Sequence, residues 1–352
     1  MANTASMEEM VKVFSDELAL CKVGPGEKVS VLSEGNHLQD YAEAFLRAAE
    51  GLGADANNVH VAPDATGGGA EARIKEVGVN PLSEDPVAMA TLKDSDMVVD
   101  LMLLLFSKEQ LELQAGGTRI LLAVEPFDIL KRLFPDEDIR RRVEVGEQRV
   151  QAAKTLRFTN KAGTDVIYDL KSGDDGLKRV VTEYGYTATP GRWDHWPSGF
   201  LACIGTATGV EGRVVMDVDD IILPNKEFVS EPIDMTIRDG FITEFKGGAD
   251  ARKLQDFYES FEDPGAFGIA HIGWGLNQHA LWDVNAPGIC QDGRAYYGNV
   301  LFSTGPNIEF GGTNDTACHF DLPMKNCSLW LDDELIVHDG ELVPDDLRAP
   351  GR

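Results

Sequence analysis

The chain has 352 residues, 43% of them hydrophobic and 26% charged, so it is long enough for two domains that each bury a core. Its 59 acidic residues outnumber its 32 basic ones and give a formal net charge of −27. This balance excludes non-specific binding to nucleic acid or to an anionic membrane as a default function, because both depend on basic contacts.

The first part of the sequence alternates helical patterns with apolar strands. Apolar residues at helical spacing predict a helix over Met7–Leu20, which the Gly-Pro-Gly at 24–26 ends. The elements predicted after it are strand Lys28–Leu32, helix Leu38–Leu52, strand Val59–Ala62, helix Pro86–Lys93, strand Met97–Leu105, helix Lys108–Gln114, strand Arg119–Val124 and helix Asp136–Ala153. Continuous apolar strands between amphipathic helices are typical of a parallel sheet covered on both faces. Residues 1–154 are therefore predicted to form an α/β scaffold domain.

Two glycine runs lie in this part, Gly67–Gly69 and Gly116–Gly117. Neither matches a dinucleotide fingerprint or a Walker sequence. We interpret both as flexible turns, with phosphate binding as the alternative, and expect the α/β part to be a scaffold without a nucleotide.

The second part changes to short strands. Strand-like runs occur at Leu156–Thr159, Val166–Leu170, Val214–Val218, Ile221–Leu223 and Met235–Ile237. Asp239-Gly240 predicts a hairpin, a helix is predicted near Asp250–Phe261, and Ser328–Val343 has the pattern of a meander. Residues 155–352 are therefore predicted to form a mainly antiparallel β domain of α+β type, which carries the candidate metal site.

Other features indicate a cytoplasmic protein. Residues 1–12 contain Glu8 and Glu9 and no continuous apolar stretch, so we expect no secretory signal there. The most apolar run, Met97–Phe106, is about half the length that crosses a bilayer. The five cysteines are scattered without a Cys-x-x-Cys pair, which favours free thiols in a reducing compartment over disulfides or a zinc ribbon.

The tetrapeptide Cys318–Asp321 is the first candidate for chemistry. His319 and Asp321 are two positions apart, so on an extended strand they project from the same face and can share a metal ion. The alternative is a histidine that a nearby carboxylate holds on a solvated strand. Cys318 is either a further ligand or nucleophile or a small buried thiol.

Three of the seven histidines, His195, His271 and His319, lie in clusters of glycine, tryptophan and acidic residues. Such segments bring the backbone close to a ligand and surround it with apolar walls. With Asp321, the histidines His271 and His319 would form the facial triad of a non-haem Fe(II) oxygenase. A zinc hydrolase could use the same three residues, and spacing alone does not separate the two metals.

Several long motifs resemble the 2,5-dihydroxypyridine 5,6-dioxygenases, the ring-opening enzymes of nicotinate degradation. The motifs are Arg119–Pro126, Thr182–Tyr186, Pro190–Phe200, Asp219–Pro224, His271–Leu276, Leu301–Asn307 and Cys318–Asp321. The resemblance covers nearly the whole chain, and the family is distantly similar in fold to the thermophilic metallo-aminopeptidases.

The resemblance implies an Fe(2+) ion held by His271, His319 and Asp321. It implies cleavage of 2,5-dihydroxypyridine between C5 and C6 by O2 to give N-formylmaleamate, in a cytoplasmic homo-oligomer that we expect to be a hexamer. The residues expected around the substrate are His195 or Glu183 as the base, with Ser303, Arg192, Trp193 and Phe106 as binding residues. At Phe106 this chain departs from the family, which has a histidine there, so an apolar wall replaces a donor.

Each of these roles has a plainer alternative. Glu183 could form an ion pair with Arg192, Ser303 could belong to a turn, and Trp193, Trp196 and Trp274 could fill the core rather than stack on a ring. The rival function is a metallo-aminopeptidase-like hydrolase, which would need further bridging carboxylates. A metal-stabilised binding protein without turnover is the third hypothesis.

Overall fold

The structure is a computed structural model that describes residues 5–63, 67–170 and 180–352. Its strands are β1 (Lys28–Glu34), β2 (Asp55–Val61), β3 (Met97–Asp100), β4 (Arg119–Leu122), β5 (Thr155–Thr159), β6 (Asp165–Asp169), β7 (Val180–Glu183), β8 (Trp193–His195), β9 (Phe200–Cys203), β10 (Val210–Met216), β11 (Ile221–Ile222), β12 (Glu227–Phe228), β13 (Ile233–Arg238), β14 (Phe241–Gly247), β15 (Ile269–Gly275), β16 (Val300–Thr304), β17 (Phe320–Met324), β18 (Ser328–Leu331), β19 (Glu334–His338) and β20 (Glu341–Leu342). Its α-helices are α1 (Met7–Leu20), α2 (Gln39–Gly51), α3 (Ala70–Arg73), α4 (Pro86–Lys93), α5 (Lys108–Ala115), α6 (Phe127–Arg132), α7 (Glu137–Ala152), α8 (Ala249–Glu259) and α9 (Gln291–Ala295). Short 3₁₀ turns lie at Pro81–Glu84, Pro264–Phe267 and Ile308–Phe310.

The chain divides into two compact units that are not continuous in sequence. Unit 1 comprises Met1–Pro135, Tyr184–Ser198 and Pro287–Ile289, and unit 2 comprises Asp136–Glu183, Gly199–Ala286 and Cys290–Arg352. These units differ from a single cut after residue 154, because α7 belongs to unit 2 and β8 returns to unit 1. The division into domains 1–154 and 155–352 stays a prediction.

Unit 1 is built on sheet A, a five-stranded parallel sheet in the order β2-β1-β3-β4-β8. Helix α1 begins after Ser6, whose side chain accepts a hydrogen bond from the N–H of Glu9, and it buries Phe14. The Phe14 ring stacks on Phe45 of α2 with centroids 3.9 Å apart, which joins the two helices. The predicted α/β scaffold with a parallel sheet is therefore confirmed.

The loop after β3 corrects one predicted element. The apolar run at 97–105 does not continue as a strand, because β3 ends at Asp100. The buried Asp100 carboxylate accepts hydrogen bonds from the N–H groups of Met102, Leu103 and Leu104 and so turns the chain. Leu103 and Phe106 both adopt positive φ angles in this loop, 72° and 60°. A left-handed backbone is uncommon outside glycine, so the loop has a defined and strained shape.

The glycine run Gly67–Gly69 is a turn that leads into α3. All three glycines have positive φ, and the N–H of Gly69 donates to Oε2 of the buried Glu34. A Cβ added at Gly68 would lie 2.5 Å from the Glu34 carboxyl carbon. An anionic phosphate would meet this carboxylate, so the turn interpretation is favoured over phosphate binding.

Unit 2 contains two antiparallel sheets. Sheet B has eight strands in the order β14-β13-β10-β6-β5-β18-β19-β20, and it includes the hairpin at Asp239-Gly240 and the terminal meander. Sheet C has five strands in the order β17-β16-β15-β9-β7. Helix α7 approaches sheet C closely at Gly146, where a Cβ would lie 2.4 Å from the Leu201 side chain. The predicted antiparallel second part is confirmed. Among the described residues, no helix combines the length and the apolarity that crossing a bilayer requires.

Candidate metal centre

The three candidate metal ligands lie on neighbouring parts of sheet C. His271 belongs to β15, Asp321 to β17, and His319 immediately precedes β17. Ser303 of β16 lies between these strands and pairs directly with Asp321. Since the serine side chain is small, the longer side chains of His271 and Asp321 can meet above it. A register shift of β15 between Ile269 and Ile272 falls at His271, and such bulges re-aim side chains next to functional sites.

The ligand atoms converge on one carboxylate oxygen. Oδ1 of Asp321 lies 3.2 Å from Nε2 of His271 and 3.4 Å from Nε2 of His319. The three ligand atoms lie within 4.8 Å of one another. Two ligands that bind one ion at about 2.1 Å and at right angles are about 3 Å apart, so the 3.2 and 3.4 Å separations from Asp321 fit adjacent ligands of one metal ion.

The protonation of these groups also suits a cation. All three side chains are buried. Burial lowers the pKa of His271 to about 4, so its imidazole is neutral at pH 7 and has a lone pair to donate. Burial alone would raise the pKa of Asp321, but the His319 and His271 imidazoles hold it well below its usual range. A neutral imidazole beside an ionised carboxylate is the state that metal ligands require.

Aromatic packing fixes the His271 ring. Its Nδ1 is buried and has no hydrogen-bond partner among residues 5–63, 67–170 and 180–352. The ring instead stacks on Phe310, with centroids 5.2 Å apart and an interplanar angle of 26°, and meets the edge of Phe200 at 6.1 Å. The Asp321 Oδ1 atom likewise has no hydrogen bond of good geometry in the described part of the chain. The two imidazoles and this oxygen fit a metal ion better than they fit one another.

Glu183 forms a buried ion pair with an arginine that is distant in sequence. Arg294 of α9 donates from Nη2 to Oε1 of Glu183 at 2.7 Å and from Nη1 to Oε2 at 3.1 Å. Arg192 contacts Asp194 and lies over the ring of Tyr184, 3.8 Å from its centroid. The alternative of a Glu183–Arg192 ion pair stays a prediction. Sequence reasoning did not nominate Arg294.

The other predicted site residues of unit 2 share a face with the triad. Glu183 pairs with Phe200 across β7 and β9, and directly paired residues point to the same face of an antiparallel sheet. The Ser303 hydroxyl is buried and has no hydrogen-bond partner in the described ranges. A buried hydroxyl of this kind is available to a ligand.

Two predicted residues of unit 1 lie at or after the carboxyl ends of sheet A strands, whereas Arg192 and Trp193 lie at the amino end of β8. His195 ends β8, and Phe106 lies in the loop after β3. Trp193 and His195 lie on one face of β8 with ring centroids 6.0 Å apart. In open α/β sheets the carboxyl edge is where ligands bind.

The structure favours core packing for two tryptophans and a buried, protonated thiol for one cysteine. Trp196 is fully buried, packs against Phe14 and donates from its indole to the carbonyl of Leu130, and Trp274 is also fully buried. Burial raises the pKa of the Cys318 thiol to about 12, so it stays protonated. Among the described residues, the one group of three or more His, Cys, Asp and Glu side chains that could hold an ion is the triad, and Cys318 is not part of it.

Comparison with known proteins identifies the family. The family described as NicX, 2,5-dihydroxypyridine 5,6-dioxygenase, matches residues 9–344. The 2,5-dihydroxypyridine 5,6-dioxygenase of Pseudomonas putida KT2440 is 42% identical over 356 residues, covering 98% of this chain and 99% of that protein. The solved structure of 2,5-dihydroxypyridine dioxygenase from Pseudomonas putida KT2440 superposes with a TM-score of 0.91 at 41% identity, over 98% of this chain and all of that one.

A more distant structure shares the fold alone. Wild-type AmpT from Thermus thermophilus superposes with a TM-score of 0.62 at 13% identity, over 96% of this chain and all of that one. The predicted distant relation to the thermophilic metallo-aminopeptidases is thus confirmed as a relation of fold. With a profile match over most of its length and a relative 42% identical across it, the chain belongs to the 2,5-dihydroxypyridine 5,6-dioxygenase family.

Proposed function

We propose that the chain is a non-haem Fe(II) dioxygenase that opens the ring of 2,5-dihydroxypyridine between C5 and C6 and yields N-formylmaleamate. The substrate gains both atoms of one O2 and loses none, so the product acid has the mass of substrate plus O2. The observation that carries the proposal is the convergence of His271, His319 and Asp321 within 4.8 Å, in a chain of this family.

The triad residues would hold the iron. An Fe(II) ion with two imidazoles and one carboxylate keeps positions open, and it supplies the activation of O2 for reaction with an organic substrate. The exposed fractions of residues His271, His319 and Asp321 are 1%, 3% and 5%, so the protein excludes bulk water from the three ligands. Exclusion of water strengthens the charge interactions among these groups.

The charges of four buried residues at the candidate metal centre favour an anionic guest. Asp321 and Glu183 each contribute one negative charge and Arg294 one positive charge, while burial keeps His271 neutral. The set therefore carries a net charge of −1, and a divalent cation makes it +1. A dihydroxypyridine that has released one hydroxyl proton matches this charge.

His195 is the proposed base that accepts this proton at a ring nitrogen. An imidazole has an ordinary pKa close to neutrality and is the usual side chain for this task. The alternative base, Glu183, accepts two hydrogen bonds from Arg294, which stabilise its charged form and weaken it as a base. Ser303 is proposed to hydrogen-bond the substrate, and Arg192, Trp193 and Phe106 to contact it. These assignments rest on the resemblance.

The hydrolase alternative is less well supported. A dinuclear hydrolase would bind a second ion through further carboxylates. Within the described ranges, the triad is the one cluster that could hold a metal. A cytoplasmic location and assembly as a homo-oligomer, with a hexamer expected, stay predictions.

Anaerobic loading of the purified protein with Fe(II), followed by substrate and then O2, tests the proposal. We expect loss of ring absorbance with uptake of one O2 per substrate, and a product that carries two labelled oxygens when ¹⁸O2 is used. Zinc content with peptide cleavage and no O2 uptake would favour the hydrolase. Substrate binding without loss of absorbance would favour a binding protein.

Substitutions separate metal binding from proton transfer. His319→Ala and Asp321→Ala should lose iron, because each removes one ligand. His195→Ala should keep iron and lose turnover by about 10²–10⁴-fold, the usual contribution of a general base. His338→Ala is the matched control, since His338 is exposed on β19. Unchanged turnover of His195→Ala would show that the base is another group.

A further inference from the structure

The two oxygens of Asp321 face different neighbours. Oδ1 faces the Nε2 atoms of His271 and His319, at 3.2 and 3.4 Å. Oδ2 lies 3.4 Å from Nε of Arg294. A carboxylate that is free to rotate can bind a cation through one oxygen or through both. A group that holds Oδ2 therefore decides how many oxygens Asp321 offers.

Arg294 is well placed for this role because three contacts immobilise its guanidinium. Both Nη atoms donate to the two oxygens of Glu183, at 3.1 and 2.7 Å. The guanidinium also lies over the Phe200 ring, 4.8 Å from its centroid. Planar groups with two parallel hydrogen bonds have a fixed orientation, which a lysine cannot reproduce.

The remaining nitrogen of Arg294 is the one that faces the metal ligand. Its Nε is buried and has no hydrogen-bond acceptor of good geometry in the described part of the chain. The 3.4 Å contact with Asp321 Oδ2 is an ion-pair distance and is long for a hydrogen bond. Glu183 and Asp321 together hold the pKa of Arg294 above its usual value, although burial opposes this. The arginine is thus a permanent cation between two carboxylates.

Asn299 fixes the backbone that carries Arg294. Its amide donates to the carbonyls of Gly293 and Arg294, at 2.7 and 3.1 Å. Its side-chain oxygen accepts the N–H of Gly275, at the end of β15, at 2.7 Å. Asn299 therefore ties the short helix α9 to the strand that carries His271.

We propose that Arg294, whose backbone Asn299 fixes, is a positioning residue that holds Asp321 as a metal ligand through one oxygen. It restrains Oδ2 and leaves Oδ1 for the ion, so two imidazoles and one oxygen are the protein's whole contribution. This inference rests on the proposed function in one respect, since it takes the triad as the metal site.

Metal affinity is the direct test. Co(II) binding to the metal-free full chain would be measured by competition with a chelator, for the wild type, Arg294→Met and Arg294→Lys. Both variants should bind Co(II) about 10- to 100-fold more weakly, the usual effect of removing a residue that orients a ligand. The visible spectrum of the saturated variants should also change, because a second Asp321 oxygen would alter the coordination number.

The lysine variant separates position from charge. Lysine keeps the positive charge but lacks the planar fork. If Arg294→Lys has the affinity and spectrum of the wild type, charge alone is responsible and the positioning role is wrong. Affinity of Arg294→Met equal to or tighter than the wild type also overturns the proposal.

Two further variants keep the test decisive. Arg142→Met is the matched control, because Arg142 is another fully buried arginine of unit 2, paired with Asp138 at 2.8 Å, and it contacts no triad residue in the structure. It should keep wild-type affinity. Asn299→Ser leaves Arg294 in the chain and should weaken Co(II) binding several-fold. Unchanged affinity would show that Asn299 does not position Arg294, and this test holds even if neither Arg294 variant folds. A wild-type chain that binds no metal would instead contradict the metal site itself.

Discussion

Each compact unit buries an arginine–glutamate pair, and the two pairs use their remaining polar atoms differently. In unit 1, Arg73 donates to Glu34 at 2.5 Å and to the carbonyls of Met102 and Val79, both at 3.0 Å. In unit 2, Arg294 pairs with Glu183, and its third nitrogen faces another carboxylate rather than a carbonyl. Both arginines are almost fully buried, at 5% and 6% exposed.

The partners distinguish a structural pair from one that belongs to a site. Arg73 and Glu34 join chain segments, since Glu34 also accepts the N–H of Gly69. Outside the pair, the described hydrogen bonds of Arg73 go to backbone carbonyls. A buried ion pair alone is weak evidence for either stability or function. The contacts that the arginine nitrogens make outside the pair are more informative about its role.

The largest expected effect is on the pair of unit 1. Arg73→Met leaves the Glu34 carboxylate buried without its cation, which should lower the free energy of unfolding by about 3–5 kcal/mol. Urea unfolding followed by fluorescence would measure this change. Lys12→Met is the control, because the exposed Lys12–Asp16 pair contributes at most about 0.5 kcal/mol. The Co(II) affinity of the folded Arg73→Met chain should equal that of the wild type. A loss of affinity like that expected for Arg294→Met would contradict the view that only the pair of unit 2 belongs to the metal site.

A smaller effect is expected where the glycine turn approaches Glu34. Gly67→Ala and Gly68→Ala both place alanine at positive φ, which costs about 1–2 kcal/mol. A Cβ at Gly67 would meet nothing within 4 Å, whereas one at Gly68 would overlap the Glu34 carboxylate. Gly68→Ala should therefore destabilise by about 1–3 kcal/mol more than Gly67→Ala, the usual range for overpacking. Equal unfolding midpoints for the two variants would mean that the carboxylate is free to move away.

Local signals made much of unit 1 predictable. The predicted bounds of α1 and α4 coincide with the observed ones, because Ser6 and Asp85 cap the helices and Pro86 takes the first turn of α4. The predicted strand at 97–105 was too long, because its apolar residues continue past Asp100, where side-chain hydrogen bonds turn the backbone. An apolar pattern predicts which residues are buried, but it does not predict where side-chain hydrogen bonds turn the backbone.

Non-local pairing explains what the sequence did not predict. Strand β8 has three residues and joins sheet A beside β4, about seventy positions earlier in the chain. Strands β9, β15 and β16 are buried throughout, so they lack the alternation that marks a half-exposed strand.

The candidate site shows the same division. The His-x-Asp spacing and the family resemblance predicted the triad, which the structure brings together. Arg294 carries no such signal, because α9 has five residues, begins after Cys290 at positive φ, and its ion pair joins residues 111 positions apart. Arg192 was the natural partner for Glu183 in sequence, whereas the pairing with Arg294 becomes visible only in the folded chain.

A pH-dependent effect is expected from buried aspartates that lie outside both ion pairs. Asp100 of unit 1 accepts three backbone N–H groups, whereas Asp220 of unit 2 accepts two, from Asp217 and Lys325. Burial raises the pKa of both carboxyls, that of Asp220 from 3.8 to about 7, although these N–H groups oppose the shift. Between these values the folded chain keeps a proton on Asp220 that the unfolded chain has released, so the folded state binds more protons.

Stability should therefore fall as the pH rises from about 4 to 7 and lose this dependence above it, since both states are then ionised. Urea midpoints measured across this window would show the slope. Asp220→Asn cannot ionise, so its slope should be smaller, although it also loses one acceptor for a backbone N–H. Equal slopes in the wild type and Asp220→Asn would mean that Asp220 is ionised in the folded chain, and that its two N–H groups compensate for its burial.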